Sequence, residues 1–356
     1  MLRVVVIEDS MTIRRYIQRT LSRTGDIEVV GEAEDGKTGI ELCRRRRPDV
    51  ITLDLVLPSM SGISVTEYLM AYQPTPILIV SASSNRDEAH KTYDALAAGA
   101  VDVLEKTPVS GAEGAWEEKL VAAVRMVARI KVMTHSRGRF RVVPTMPPKA
   151  RSRPRTDGPI DGRIDGALSV VAFGASTGGP GAISQILVSL CHPFPLPVLV
   201  VQHLSPMFSY AYAEWLDRQS PHRVAYVRDG EPLAEAHGRV ILALPDKHLV
   251  VRDGRVWALA GAERNFCRPS VDILFESLAD EMGPATVAAL LTGMGRDGAE
   301  GLLRVRRAGG KTFAQDEASS TVYGMPREAA VLGAADAVLP LVNIGPAISE
   351  LVMTRG

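Results

Sequence analysis

A chain of 356 residues is longer than one ordinary hydrophobic core requires, so two domains are expected. Apolar residues make up 46% of it and charged residues 23%, globular values that exclude a disordered chain. Its 41 basic residues balance 41 acidic ones, which gives no ground for a general nucleic-acid or membrane surface.

Three cysteines, Cys43, Cys191 and Cys267, are odd in number, far apart and without metal spacing, which fits a reducing compartment. No apolar stretch approaches the ~20 residues needed to span a bilayer. The chain opens on a strand-like run, Leu2 to Ile7, followed by acids, and this is no signal peptide. A soluble, cytoplasmic protein is expected, neither membrane-inserted nor bound to nucleic acid.

Along the first third, short β-branched runs alternate with helical patterns. Val4–Ile7, Val29–Gly31, Val50–Leu53, Ile77–Val80 and Val101–Leu104 predict buried strands. Ile13–Leu21, Thr38–Arg46, Ser64–Tyr72, Asp87–Ala98 and Glu117 to about Val132 predict helices. Five strands each followed by a helix imply a parallel sheet covered on both faces, over residues 1–134.

Residues 135–167 read HSRGRFRVVPTMPPKARSRPRTDGPIDGRIDGA, rich in Pro, Gly and Arg. Such a stretch buries too little to offset its ordering entropy, so it is expected to be a flexible basic linker. Residues 168–356 then form a second domain. It begins with strand Ser169–Gly174, helix Ala182–Leu190 and strand Val198–Gln202. Arg239–Leu244 and His248–Leu259 suggest antiparallel strands, the latter folded at Asp253-Gly254. Helix Val271–Glu281, strand Thr286–Leu291 and a helix from about Ala299 resume the alternation. The expected fold class is α/β throughout, with a mostly parallel, doubly wound second domain carrying an antiparallel hairpin.

Glu8 and Asp9 follow the first strand and Asp54 the third, so three carboxylates gather at the carboxyl edge of the first sheet. They repel one another unless a hard cation sits between them, and Mg²⁺ suits such oxygen donors. Ser81 closes the fourth strand and Lys106 the fifth, which adds a hydroxyl and an ammonium. Any one of these is commonplace at a strand end. Together they describe a site that accepts a phosphoryl group on a carboxylate.

Residues 1 to about 130 resemble the response-regulator receiver family, a flavodoxin-like fold, in Glu8-Asp9-Ser10, Leu53-Asp54, Leu57-Pro58-x-Met60-x-Gly62, Ser81-Ala82 and Lys106. The resemblance implies that Asp54 takes phosphate from a histidine kinase, that Glu8 and Asp9 help hold Mg²⁺, and that Ser81 and Lys106 contact the phosphoryl oxygens. Three positions depart from the family: Ser61 where Asp is usual, Thr107-Pro108 after the lysine, and Val103 where an aromatic switch residue is common. A non-standard output switch is therefore expected.

In the second domain, strand Ser169–Gly174 runs into Gly174-Ala175-Ser176-Thr177-Gly178-Gly179-Pro180 and then a helix, which puts Ser176 on a tight strand-to-helix turn. His203 ends the next strand, and Asp297 follows Thr286–Leu291 to the same edge. Alone, His203 reads as a core histidine and Asp297 as a loop acid. Together the three are the parts of an acyl-transfer triad, with His203 as base, Asp297 orienting it and the Met294 backbone N–H as the preferred oxyanion donor. Hydrolysis of this kind needs no cofactor. A dinucleotide-binding turn fits poorly, because Gln202-His203 stands where a ribose-binding acid belongs. The α/β-hydrolase elbow requires the order Ser, Asp, His, whereas this chain runs Ser, His, Asp.

Residues 168 to 353 resemble the catalytic domain of the chemotaxis protein-glutamate methylesterases. The matching blocks are Gly174-Ala175-Ser176-Thr177-Gly178-Gly179-Pro180, Gln202-His203, Arg268-Pro269-Ser270-Val271-Asp272, Leu291-Thr292-Gly293-Met294-Gly295-x-Asp297-Gly298, Gln315-Asp316-Glu317 and Tyr323-Gly324-Met325-Pro326. The resemblance implies Ser176, His203 and Asp297 as the triad, supported by Thr177 and Met294. It also implies γ-glutamyl methyl esters of chemoreceptors as substrate, with deamidation of receptor glutamines alongside, and a chemotaxis histidine kinase as phosphodonor for Asp54. The Arg268-Pro269-Ser270 block also reads as a helix start, and Gln315-Asp316-Glu317 as a cleft lining or a strand end. Two sites on one chain suggest that the first domain covers the second until Asp54 is phosphorylated. The alternative is a phosphorylation-dependent binding protein with an inactive hydrolase domain.

Overall fold

The computed structural model describes residues 1–81, 86–106, 114–130, 132, 168–204 and 206–355. The expected linker, 135–167, lies outside the described residues, as do Ala82, Thr107 and Pro108.

The first body alternates strictly: β1 (Leu2–Ile7), α1 (Met11–Ser22), β2 (Ile27–Ala33), α2 (Gly36–Arg46), β3 (Val50–Leu53), α3 (Gly62–Tyr72), β4 (Ile77–Ser81), α4 (Arg86–Ala97), β5 (Asp102–Glu105) and α5 (Ala115–Val127). The strands pair in parallel in the order β2-β1-β3-β4-β5. Val4, Val6, Leu78 and Val80 face a core with α1 and α5, while Val5, Ile7, Ile51 and Ile79 face one with α3. A strand buried on both faces reads as a continuous apolar run, which is why these segments were legible. Helix α5 ends five residues before the expected Val132, and Ser10, Asp35 and Ser61 cap α1, α2 and α3 with their side chains. Ser61, one of the departures from the receiver pattern, therefore has a local structural role.

The second body runs β6 (Val170–Ala175), α6 (Gly179–Ser189), β7 (Val198–Gln202), α7 (Pro206–Gln219), β8 (Arg223–Tyr226), β9 (Glu231–Pro232), β10 (Arg239–Leu242), β11 (His248–Arg252), β12 (Arg255–Leu259), α8 (Val271–Glu281), β13 (Thr286–Leu290), α9 (Ala299–Arg307), β14 (Lys311–Gln315), α10 (Met325–Val331), β15 (Ala337–Leu339) and α11 (Leu341–Arg355). Seven strands form a parallel sheet in the order β15-β14-β13-β6-β7-β10-β8. Strands β11, β12 and β9 form a separate antiparallel sheet, with the expected turn at Asp253-Gly254. One expectation is corrected: β10 is not antiparallel. It lies between β7 and β8, parallel to both, and the chain reaches it from β8 by way of β9 and leaves it for the hairpin.

From β6 the chain adds β7 and the edge strand β8 on one side and fills the gap between them with β10, then returns to add β13 to β15 on the other. The order reverses between β6 and β13, the point where parallel sheets open a crevice at their carboxyl edge. Helix α4 of the first body packs on α7 beside that crevice. Tyr93, fully buried, donates its hydroxyl to the Phe208 carbonyl at 2.8 Å and lies against the rings of Tyr212 and Trp215 at 5.2 and 5.5 Å. Trp215 Nε1 donates to Asp94 Oδ1 at 2.9 Å, and His90 meets Glu214 at 3.2 Å. The apolar core of the second body extends through Leu96 and Val103 into the first.

Candidate active site and phosphoacceptor site

Strands β6, β7 and β13 deliver Ser176, His203 and Asp297 to one edge. The sheet ladder continues past the strand ends, with Ser176 N–H donating to Thr292 O at 3.0 Å and His203 N–H to Ala175 O at 3.0 Å. Two glycines permit the turn. Gly178, at φ +79°, would bring a Cβ to 2.3 Å of Thr321 Oγ1, and a Cβ on Gly293 would sit 2.8 Å from that of Ser176. Gln202 Nε2 donates to Ser176 O at 2.8 Å and to His203 O at 3.0 Å, which clamps the two loops together.

His203 Nε2 lies 2.9 Å from Asp297 Oδ2. Asp297, 2% exposed, accepts in addition from Ser270 Oγ (2.7 Å), Val271 N (2.7 Å), Asp272 N (3.3 Å) and Asn265 Nδ2 (3.3 Å). Burial alone would raise its pKa, but the His203 bond and charge, with the Ser270 and Val271 donors at the start of α8, hold it below the usual carboxylate value. Asp297 is thus an ionised acceptor, so in the neutral ring Nε2 carries the proton and Nδ1 the lone pair. For His203, burial opposes the charged form, yet the Asp297 bond, the Cys267 contact and the Asp297 charge together raise its pKa to about 9.

Nδ1 faces Cys267 Sγ at 3.7 Å. Ser176 Oγ has no hydrogen bond to the ring among the described residues. Both groups line the same cavity of 340 Å³ with Thr177, and catalytic bonds of this kind are often long until substrate is bound. The backbone N–H groups of Thr177 and Met294 have no hydrogen-bond partner among the described residues, and the Met294 side chain is 62% exposed. Tyr93, Leu96, Asp102 and Val103 of the first body roof this cavity. Burial raises the Asp102 carboxyl to about 6, although the Val103 N–H donates to it.

The structure assigns the remaining blocks. Ser270 caps α8, as its sequence suggests, and also donates to Asp297. Gln315 is buried; its Oε1 accepts from Thr292 N at 2.8 Å and its Nε2 donates to Ser319 O, so it braces the Thr292 loop. Asn265 and Cys267 were not read from the sequence, because neither belongs to a spacing pattern. Only their neighbourhood in Arg268-Pro269-Ser270 hinted at them.

In the first body, Lys106 Nζ lies 2.8 Å from Glu8 Oε2 and 2.7 Å from Asp54 Oδ2. Glu8 and Asp54 are buried and Asp9 is exposed, and each offers a carboxylate oxygen in a group spanning no more than 4.8 Å. Burial raises Glu8 to about 7 against the pull of Lys106, and the neighbouring Asp54 charge adds to the rise. An all-oxygen, partly uncompensated acid cluster fits a hard divalent cation. Ser81, buried, ends β4 beside β5, and its carbonyl accepts from Lys106 N at 2.9 Å.

Comparison with known proteins agrees with both halves. Residues 171–348 match the CheB methylesterase family model, and residues 4–112 match the response regulator receiver domain model. A protein of Nitrosospira multiformis named protein-glutamate methylesterase/protein-glutamine glutaminase is 39% identical over 360 residues, covering 100% of this chain and 98% of that protein. The chain belongs to the CheB methylesterase family. A relative of the same name from Pseudomonas aeruginosa is 38% identical, covering 99% of this chain and 97% of its own length. The catalytic domain of the Thermotoga maritima CheB methylesterase aligns with a TM-score of 0.50 at 36% identity, over 52% of this chain and 100% of that one. Full-length relatives carrying an enzyme name do not favour the inactive-hydrolase alternative for this CheB-family chain. No helix among the described residues is long and apolar enough to cross a membrane.

Proposed function

We propose that this chain is a cytoplasmic, phosphorylation-controlled esterase that hydrolyses γ-glutamyl methyl esters on chemoreceptors and deamidates receptor glutamines at the same site. The observation that carries the reading is the His203–Asp297 pair set beside Ser176 in one crevice. Ser176 Oγ attacks the ester carbonyl while His203 Nδ1 takes its proton. Asp297 holds Nε2 and stabilises the imidazolium. The Thr177 and Met294 N–H groups receive the oxyanion, each such donor being worth about 10²–10³ in rate. His203 then returns the proton to the departing methoxide, or to the amide nitrogen of a glutamine substrate so that it leaves as ammonia, and water releases the acyl group by the reverse path.

Asp54 is the acceptor for a chemotaxis histidine kinase. Glu8, Asp9 and Asp54 would hold Mg²⁺, which when bound offsets the charge gathering at the transfer. Lys106, already between Glu8 and Asp54, and Ser81 contact the phosphoryl oxygens. The domains divide at residues 1–134 and 168–356, joined by the basic linker 135–167. The unphosphorylated receiver, by roofing the crevice, withholds Ser176 from a receptor helix.

Methanol release from methylated receptor tests the chemistry. Ser176→Ala should lose on the order of 10⁴-fold or more of the rate. Full release by that variant would end the serine mechanism.

A further inference from the structure

We infer that Cys267 and His203 form a binding site for a thiophilic divalent cation such as Zn²⁺, and that the bound ion inhibits the hydrolase by occupying Nδ1. Cys267 Sγ stands 3.7 Å from His203 Nδ1. A tetrahedral zinc ion with ordinary Zn–S and Zn–N bonds sets its sulfur and nitrogen ligands roughly 3.6 Å apart. The two atoms therefore already hold the separation that a shared ion imposes.

The surroundings fix both ligands. Asp297 holds Nε2, so the ring is oriented with Nδ1 facing the thiol, and in the neutral ring this is the carboxylate–histidine–metal arrangement that raises imidazole basicity. An Asp297 oxygen also lies within 4.8 Å of the other two candidate donor atoms. It is fully engaged by Ser270, Val271, Asp272 and Asn265, so Asp297 orients the ring and water fills the remaining positions. Cys267 is held by a tight turn in which Arg264 and Cys267 exchange backbone hydrogen bonds of 3.1 and 2.9 Å, with Asn265 and Phe266 between them at φ +52° and +61°. The thiol, which donates to Asn265 O with Sγ 3.4 Å away, loses its proton to solvent as the S–metal bond forms.

Nitrogen and sulfur donors select a different ion from the receiver's oxygens. Glu8, Asp9 and Asp54 suit Mg²⁺, whereas a thiolate with an imidazole suits Zn²⁺ or Co²⁺. Binding itself does not depend on the esterase reading; the inhibition does, because it removes the nitrogen assigned as base.

The test is titration of the reduced full-length protein with Co²⁺, read by its thiolate-to-cobalt charge-transfer absorption. One equivalent should saturate the band, Zn²⁺ should displace it, and Cys267→Ala or Cys267→Ser should lack it, while Cys191→Ala keeps it. His203→Ala should weaken binding at least about tenfold, the lower bound for losing a group that tunes a metal site. A band that persists in Cys267→Ala, or no band in the parent protein, overturns the site. In methanol release, each protein being compared with its own metal-free rate, Zn²⁺ should inhibit the parent and a chelator should restore it. Cys267→Ala should need at least about tenfold more Zn²⁺. A band in a protein whose turnover Zn²⁺ leaves unchanged overturns the inhibitory half, and with it the assignment of Nδ1 as base.

Discussion

Two carboxylates at equivalent sheet edges shift in opposite directions. Glu8, at the receiver edge, is raised to about 7, whereas Asp297, at the hydrolase edge, is held below its ordinary value. Both are buried, so burial does not separate them. The difference lies in the partners. Asp297 collects His203, two N–H groups from the start of α8, a hydroxyl and an amide. Glu8 accepts from one N–H, that of Ser10, shares a single ammonium with Asp54 and has Asp9 beside it as well. The receiver edge is left short of positive charge, which suits a place that gains a cation and then a phosphoryl group. The partner set of Asp297 is complete, which suits a group that must hold one ring orientation through a reaction.

The largest effect should come from undoing that completeness. Asp297→Asn should cost about 10⁴ in kcat by releasing the ring from its tautomer. It should also move the pH profile. With His203 as the proposed base acting in its neutral form, kcat/KM should rise as pH increases through about 9 in the parent protein. Without the Asp297 charge, that midpoint should fall towards the ordinary histidine value. An unmoved midpoint would separate Asp297 from His203.

Between the two edges lies the Tyr93 contact. Removing a buried aromatic that acts as an interface hot spot costs about 2 kcal/mol or more, or roughly 30-fold in the closing equilibrium. Tyr93→Ala should therefore raise the unphosphorylated rate and shrink the response to a phosphodonor; an unchanged basal rate would show that α4 does not hold the lid.

The incompleteness of the receiver edge is tested by Mg²⁺ affinity. Glu8 must lose its proton to bind the ion, so affinity should rise by about tenfold between pH 6 and pH 8 and level off above the Glu8 value near 7. The sign is opposite for stability. A raised folded pKa contributes stability below the ordinary glutamate value of 4.5, and this is lost as pH rises through about 7. Isothermal titration across that range, with Glu8→Gln as the flat control, would check it.

The smallest effect should come from Ser270→Ala, which removes a helix cap and one Asp297 donor. A loss of about 0.5–2 kcal/mol is expected, seen as a lower Tm. His203 should titrate slightly differently if the second contact matters.

Strands were legible where the chemistry repeats along the chain. Val4–Ile7 and all of Val198–Gln202 but its last residue are apolar and buried on both faces, so each reads as a continuous run. The residues following those strands, Glu8 and His203, were found because a strand end has a fixed address at the sheet edge. Partner order was less legible. Arg239–Leu242 is followed by a true hairpin, and its own residues carry no mark of which neighbours it pairs with. Ser270 reads as a cap and is one, yet its bond to Asp297 spans 27 residues and leaves no local trace. Cys267 and Tyr93 were missed for the same reason: each acts through a contact between segments distant in sequence. Val103, flagged as an atypical switch residue, packs towards the hydrolase core, where Tyr93 supplies the aromatic contact.

The central claim is that phosphate on Asp54 uncovers Ser176. Methanol release from methylated receptor should be measured for the intact chain and for Asp54→Ala, each with and without a small-molecule phosphodonor. Acceleration in the intact chain alone, with Asp54→Ala fixed at the basal rate, is the expected result. Equal acceleration of both proteins, or none in an intact chain that still releases methanol, would contradict the account.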